Sequence, residues 1–228
     1  FSVKKRVKNK IKFIIIHYTG MKKESSAISR LKNIQSEVSS HYLVKNNGDI
    51  VVLVPDLYIA WHAGKSKWRN FNSLNRNSIG IEISNPGHQF NYKKYTQKQI
   101  NSLIKLIKEL KKKFKINYKN ILGHSDIAPN RKKDPGEKFP WELLAKKKVC
   151  LWHHLKEEKL KKFRKKKIDE KERDLFMNNL FKFGYRKTGT KKKDKVFIVK
   201  AFQRRFRQKL VDGRIDKECL LISKKLIN

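Results

Sequence analysis

An apolar run near the N-terminus places the strongest constraint on the fold of this chain. The segment IKFIIIHYTG puts four consecutive apolar residues, Phe13 to Ile16, directly before His17 and then ends at a glycine. A short uninterrupted run rich in β-branched residues is typical of a strand that is buried on both faces. Because open α/β sheets bind ligands at the carboxyl ends of their strands, the run predicts that His17 lies at a functional edge of a central sheet.

Three further segments predict strands of the same sheet. SSHYLVKNNGDIVVLVP alternates apolar and polar residues on both sides of Asn47-Gly48, which is a strong hairpin signal. NSIGIEISN predicts a strand that carries a lone carboxylate, Glu82, and KNILGH predicts a short strand that delivers His124.

Two segments predict helices beside these strands. SSAISRLKNIQS predicts a short helix with Ser25 or Ser26 as its cap, and TQKQINSLIKLIKELKKKF predicts an amphipathic helix capped by Thr96. The apolar face of the second helix consists of Ile100, Leu103, Ile104, Ile107 and Leu110. The predicted fold class is therefore α/β (α+β), with a mixed central β-sheet flanked by helices over residues 1–145.

The composition changes after this first domain. Residues 145–173 carry thirteen Lys or Arg and five Asp or Glu, without proline or glycine, which predicts an exposed, basic helical connector over residues 146–173. Apolar periodicity then resumes over residues 174–228, where a first helix is expected to stop at Gly184. The tail predicts a compact module of three short helices without an evident catalytic group.

The charge of the chain is extreme, but it does not by itself identify a partner. The 58 Lys and Arg against 20 Asp and Glu give a net charge of +38 over 228 residues, which alone would suggest a polyanion. No zinc-finger spacing, basic heptad or RNP-type strand supports a specific nucleic-acid partner, and lysine from a biased genome filling solvated positions is the simpler interpretation. The sequence contains no run of about eighteen apolar residues, so it predicts no transmembrane helix. The charge also predicts a monomer.

The loop GHSDIAPNRKKDPG raises the question of why His124 and Asp134 stand ten positions apart. Pro129 and Pro135 limit the backbone, so Ser125 to Lys133 is predicted to be a rigid spacer, neither helix nor strand. A catalytic zinc ion takes imidazole and carboxylate ligands at about 2 Å and keeps one position for water. His17, His124 and Asp134 are therefore candidate zinc ligands, although the spacing alone leaves packed or solvated histidines as an alternative.

Five linked motifs resemble one enzyme family. In order, FIIIHYTG, SSHYLVKNNGDIVVLVPD, AWHAGKSKW, NSIGIEISN and GHSDIAPNRKKDPGEKFPW are similar to the AmpD/AmiD-type N-acetylmuramoyl-L-alanine amidases over roughly residues 10 to 145. The resemblance implies the amidase/peptidoglycan-recognition fold and a hydrolase with one Zn²⁺ per chain. Its expected reaction is cleavage of the amide bond between (anhydro-)N-acetylmuramic acid and L-alanine of the stem peptide.

The resemblance also implies roles for individual residues. It places the zinc ligands at His17, His124 and Asp134, the catalytic acid–base carboxylate at Glu82 and a transition-state cation at Lys132. By position alone, Arg131 and Lys133 compete for the last role. The expected substrate-binding residues are Tyr18, Thr19, His41, Trp61, His62 and Arg131.

Some of these roles have alternatives. For His41 and His62 we weigh substrate contact against supporting hydrogen bonds, and for Trp61 a sugar platform against a core position. His88 is expected to be a surface loop residue. His153 and His154 are expected to point to different sides of the connector helix, and so not to form a second metal site.

The tail resembles a second known module. KAFQRRF and VDGRID match the three-helix peptidoglycan-binding domain of cell-wall hydrolases, whereas RKTGTKKKDK departs from its usual glycine-rich stretch. Glycan binding and a purely steadying role therefore both stay open. The expected partner is peptidoglycan or anhydro-muropeptide, in the bacterial cell envelope or periplasm with the cytoplasm as the alternative. The alternative function is a non-catalytic peptidoglycan-recognition protein, although such relatives typically lack a zinc ligand that this chain retains.

Overall fold

The computed structural model of the chain describes residues 2–187 and 192–227. The strands are β1 (Ser2–Lys5), β2 (Phe13–Tyr18), β3 (Tyr42–Val44), β4 (Ile50–Val52), β5 (Tyr58–Ile59), β6 (Lys67–Trp68), β7 (Phe71–Asn72), β8 (Ser78–Ile83) and β9 (Ile121–Gly123). The α-helices are α1 (Glu24–Lys32), α2 (Gln97–Phe114), α3 (His124–Ile127), α4 (Trp141–Lys146), α5 (Glu157–Lys161), α6 (Glu170–Phe183), α7 (Lys192–Phe206) and α8 (Lys217–Ile227). Part of the RKTGTKKKDK stretch, residues 188–191, lies outside the described residues.

The central sheet has five strands in the order β4-β3-β8-β2-β9. Strand β2 pairs in parallel with both β8 and β9, and β3 pairs in parallel with β8, whereas β4 is antiparallel to β3. The register sets His17 beside Glu82, and β9 ends immediately before His124. The mixed sheet flanked by helices confirms the predicted fold class, and it carries these three side chains to one edge.

Local pattern decides the elements at the centre of the domain. Phe13 to Ile16 are at most 1% exposed, and the predicted hairpin forms, with β3 and β4 on either side of Asn47-Gly48. Thr96 caps α2, as predicted. The structure adds a capping box, in which Gln99 donates its backbone N–H to the Thr96 hydroxyl while its side chain accepts from Thr96 N.

Two local predictions were wrong. Helix α1 begins at Glu24 without a side-chain cap, so Ser25 and Ser26 lie inside its first turn; the Glu24 carboxylate instead accepts a hydrogen bond from Asn46 N at 2.7 Å. The proline-rich loop is not free of helix, because its first residues form the α3 turn. The reason is Asp126, whose carboxylate accepts from Gly123 N at 2.8 Å and caps that turn.

The basic stretch after residue 145 is neither exposed nor helical throughout. Val149, Cys150 and Trp152 are buried in the core, and after α4 ends only α5 is regular helix before residue 170. His153 and His154 lie in a segment without regular helix, so the expectation that they sit on a connector helix was wrong. The apolar residues of this stretch keep it against the rest of the protein.

Three helices form the C-terminal part, as the pattern predicted. Helix α6 buries Phe176, Leu180 and Phe183, ends at Gly184 and packs against α8. The buried apolar residues of α6–α8 belong to the same core cluster as those of the central sheet. The division into domains 1–145, 146–173 and 174–228 stays a prediction. None of the described helices is both long enough and apolar enough to cross a lipid bilayer.

Candidate active site

Three buried side chains converge at the carboxyl edge of the sheet. His17 Nδ1 and His124 Nδ1 lie 2.9 Å apart, and each lies 3.0 Å from Asp134 Oδ2. They come from the end of β2, the start of α3 and the loop that follows it, and all are at most 5% exposed. The structure therefore brings the three predicted ligands together as a group that could hold a metal ion.

The hydrogen-bond partners of these ligands show why a cation fits between them. His124 Nε2 lies 3.2 Å from the carbonyl oxygen of Ala63, which can only accept, so that nitrogen carries the proton. The Nδ1 lone pair of His124 then faces the carboxylate of Asp134, which is another acceptor. Two acceptors at 3.0 Å need a positive species between them, and ligand atoms about 2 Å from a tetrahedral ion lie roughly 3.3 Å apart. The donor set thus fits a metal ion.

The ionisation of the cluster suits the same ligand set. Burial and, to a smaller extent, the nearby His124 together lower the pKa of His17 to about 4, so the ring is neutral near pH 7. Burial would raise the pKa of Asp134, but the neighbouring His124 and His17 hold it well below its usual range. Metal ligands must be deprotonated in this way before they bind.

A hydrogen-bonded chain behind His17 fixes the orientation of its ring. The Ser78 hydroxyl donates to Leu74 O at 2.6 Å and so accepts from His62 Nε2 at 3.2 Å. The other nitrogen of His62, Nδ1, then accepts from His17 Nε2 at 3.0 Å. Because a carbonyl ends the chain, the Nδ1 lone pair of His17 is directed towards the cluster. A Cβ at Gly80 would lie 2.4 Å from the His62 ring, so only glycine leaves room there.

The cluster opens into a cavity of about 370 Å³ that also holds the predicted catalytic pair. Glu82 and Lys132 line this cavity together with the ligands. Burial raises the pKa of Glu82 well above its usual value, the charge of Asp134 raises it further, and the ammonium of Lys132 opposes the rise. Among the described residues, Glu82 Oε2 has no hydrogen-bond partner.

Most of the predicted substrate-binding residues lie on the wall of the same cavity. The lining includes Tyr18, Thr19, Trp61, His62 and Arg131. Arg131 is already engaged, since its guanidinium donates to the carbonyl oxygens of Ala63 and Lys65.

His41 is the predicted site residue that the structure does not bring to the cavity. It is fully buried behind His62, where its Nδ1 accepts from Gly80 N and its Nε2 lies 2.9 Å from Arg6 Nη2. Of the two alternatives for His41, this position favours a supporting role.

One residue that sequence reasoning placed elsewhere, His88, also reaches the cavity. His88 lines it rather than a plain surface loop; its Nδ1 lies 2.9 Å from the Tyr18 hydroxyl and its Nε2 lies 3.1 Å from Glu137. Its ring stacks on Tyr92 with centroids 4.4 Å apart. Tyr18 and Glu137 are 70 and 49 residues away from His88 in sequence, so no local signal could have identified these two contacts.

A mixed sheet that presents two histidines, an aspartate and a glutamate with an unpaired, buried Oε2 to one cavity is typical of metal-dependent hydrolases. Residues 7–137 match the N-acetylmuramoyl-L-alanine amidase family. The chain is 34% identical to N-acetylmuramoyl-L-alanine amidase AmiD of Escherichia coli, over 96% of this chain and 83% of that protein. It is 39% identical to the 1,6-anhydro-N-acetylmuramyl-L-alanine amidase AmpD of Haemophilus influenzae, over 47% of this chain and 57% of that one.

Solved structures agree with these matches. The complex of E. coli AmiD with anhydro-N-acetylmuramic acid-L-Ala-D-γ-Glu-L-Lys superposes with a TM-score of 0.85 at 32% identity, over 100% of this chain and 91% of that one. AmpDh3 of Pseudomonas aeruginosa, in complex with anhydromuramic pentapeptide, gives a TM-score of 0.83 at 28% identity, over 98% and 94%. The chain belongs to the N-acetylmuramoyl-L-alanine amidase family.

Proposed function

We propose that this amidase is zinc-dependent and hydrolyses the bond between N-acetylmuramic acid, or its 1,6-anhydro form, and L-alanine of the stem peptide. The observation that carries the proposal is the shared cavity, where Glu82 and Lys132 flank the cluster of His17, His124 and Asp134. The ligands named for E. coli AmiD and P. aeruginosa AmpDh3 contain this part of peptidoglycan and support the same substrate class.

The ligand chemistry favours zinc, with one ion per chain. Two imidazoles and one carboxylate are typical ligands of catalytic zinc, which leave a position open for water. Zinc held there would lower the pKa of the attacking water and polarise the scissile carbonyl.

The residues of the chain then account for the proton movements. Glu82 accepts a proton from the attacking water as the water oxygen bonds to the carbonyl carbon. The same carboxyl group gives that proton to the alanine nitrogen as the carbon–nitrogen bond breaks. The free, buried Oε2 and the raised pKa of Glu82 suit a group that must take up a proton and release it again. Lys132 stabilises the negative charge that grows on the carbonyl oxygen.

The charge of the cavity suits an acidic peptide. Arg30, Arg131, Lys132 and Lys133 line the cavity, and the peptide named for the AmiD complex includes a glutamate. Cationic side chains raise the local concentration of such a substrate and steer it to the site. We place this activity in the bacterial cell envelope, with the cytoplasm as the alternative, and propose a monomer because the net charge of +38 opposes self-association.

Mass spectrometry of anhydro-N-acetylmuramic acid-L-Ala-D-γ-Glu-L-Lys incubated with the protein tests the proposal. We expect release of the free tripeptide, its loss with a chelator and its recovery when zinc is restored. A parallel incubation with intact sacculi shows whether wall or fragments are preferred. Zinc binding without cleavage of either substrate would identify a peptidoglycan-recognition protein instead.

A further inference from the structure

A buried ion pair joins the C-terminal helices to the turn that carries His124. Arg205, near the end of α7, donates from Nη1 to Asp126 Oδ2 at 2.7 Å and from Nη2 to the carbonyl oxygen of Ile121 at 2.9 Å. The side chains of Arg205 and Asp126 are 1% and 0% exposed. Tyr185, which follows α6, donates its hydroxyl to the other carboxylate oxygen of Asp126 at 2.6 Å.

These contacts lie on both sides of a metal ligand. Asp126 belongs to the same helical turn as His124, and Ile121 begins the strand that leads into it. The turn is also tied to the other ligand in this loop, because Ser125 N donates to the carbonyl oxygen of Asp134 at 2.9 Å. Arg205 therefore holds the backbone before and after His124.

Stability alone does not account for such a pair. Buried ion pairs are often no more stabilising than apolar residues of the same volume. Removal of one partner, however, leaves a buried charge that needs a new partner. A carboxylate in this position would move and take the α3 turn with it. Residues that orient metal ligands typically change metal affinity by about 10–100-fold when they are altered.

The end of α7 also contacts the far end of the loop that carries Asp134. Arg204 approaches Glu137 at 3.9 Å, and Gln208, just beyond α7, donates to the carbonyl oxygen of Phe139 at 2.7 Å. A wall-binding module attached only as a tether would not need contacts of this kind. The end of α7 thus contacts the segment from His124 to Phe139 near both of its ends.

We propose that Arg205 and Tyr185 are positioning residues for His124, which makes the C-terminal helices part of the catalytic architecture. The inference rests on the proposed zinc site. It assigns the tail a function that does not depend on glycan binding.

The chain offers a matched control just beyond the end of α7. Arg207 has a fully buried side chain and pairs with Asp212 at 3.0 Å and Asp216 at 2.9 Å, both within the C-terminal part. Arg207→Lys therefore weakens a buried ion pair within the C-terminal part without touching the turn at His124.

The test measures zinc affinity and stability of the full chain. Wild type, Arg205→Lys, Tyr185→Phe and Arg207→Lys compete for zinc with a chromophoric chelator, and thermal unfolding is followed for each metal-free protein. We expect zinc affinity to fall about 10-fold or more in Arg205→Lys and by a smaller factor in Tyr185→Phe. Arg207→Lys should lower the Tm and keep wild-type zinc affinity.

Wild-type affinity in both Arg205→Lys and Tyr185→Phe would overturn the inference. If Arg205→Lys does not fold, Tyr185→Phe decides, because it removes a single hydroxyl. A wild-type protein that binds no zinc would refute the proposed function itself, which is a different outcome from variants that match the wild type.

Discussion

The carboxyl group of Glu82 lies beside His17 on the neighbouring strand, with Oε2 buried and without a partner among the described residues. Glu82→Gln keeps the shape of the side chain but removes the proton acceptor. We expect wild-type zinc content and a kcat lower by about 10²–10⁴-fold, the usual contribution of a general acid–base group. Elemental analysis and turnover of the anhydro-muropeptide check both. His124→Ala is the contrast, since it should lose zinc and activity together; normal turnover by Glu82→Gln would exclude the mechanism.

His62 sets which nitrogen of His17 is free for the proposed zinc ion, through the hydrogen-bonded chain that ends at Leu74 O. His62→Phe keeps an aromatic ring beside Gly80 and removes both hydrogen bonds. Zinc affinity should fall about 10–100-fold, as measured by chelator competition. Trp61→Phe, on the cavity wall next to it, should keep wild-type zinc affinity. Equal affinities in the two variants would mean that packing alone orients His17.

At the level of elements, the sequence predicted the strands and helices that are determined by short-range patterns. The run in β2 and the spacing of Ile100, Leu103 and Ile107 in α2 each fix one buried surface, so strand, helix and cap at Thr96 follow from local sequence. The convergence of His17, His124 and Asp134 could be predicted because they lie in motifs that resemble a known family.

Elements that depend on distant partners were not predictable in the same way. The start of α1 depends on Glu24 and a backbone N–H 22 residues away, and the α3 turn is held through Asp126 by side chains 59 and 79 residues away. His88 reaches the cavity for the same kind of reason. Burial of Val149 after α4 likewise requires a surface that is assembled only in the fold.

The segment between α4 and α5 carries a pH-sensitive residue. His153 Nε2 donates to Phe206 O at 3.2 Å and its Nδ1 accepts from Leu155 N at 3.0 Å, so the neutral ring is satisfied. Burial lowers its pKa to about 4, against the smaller opposing effects of the hydrogen bond to Phe206 O and of the charge of Glu142. Between pH 6.5 and 4 the unfolded chain binds the extra proton, so the free energy of unfolding falls as the pH is lowered through this window.

Replacement of this histidine isolates its contribution. Without metal, the wild type should lose roughly 3 kcal/mol more unfolding free energy than His153→Gln between pH 6.5 and 4. Urea unfolding at several pH values, with chelator throughout, measures the difference. The other buried histidines contribute equally to both proteins. Parallel curves would show that His153 is not held neutral.

At the scale of the whole molecule, one apolar core connects the sheet region to the C-terminal helices. Trp68 packs edge-on against Phe183 and Tyr185, with centroids 5.5 and 5.0 Å away. Arg69 N donates to the carbonyl oxygen of Gly184 at 2.8 Å, and a Cβ at Gly184 would lie 2.5 Å from the Trp68 ring. Contacts this close predict that the two parts unfold together.

The two thiols report on the two parts separately. Cys150 Sγ donates to the carbonyl oxygen of Trp141 at 3.5 Å, Cys219 lies in α8, and burial raises the pKa of each to about 12. Neither should react with iodoacetamide in the native protein, because the thiolate is the reactive form. With increasing urea, peptide mass spectrometry should show both thiols alkylated at one midpoint, as in a two-state transition. If Cys219 were alkylated at lower urea than Cys150, the C-terminal helices would unfold independently. An independently unfolding module would contradict the proposal that Arg205 positions His124.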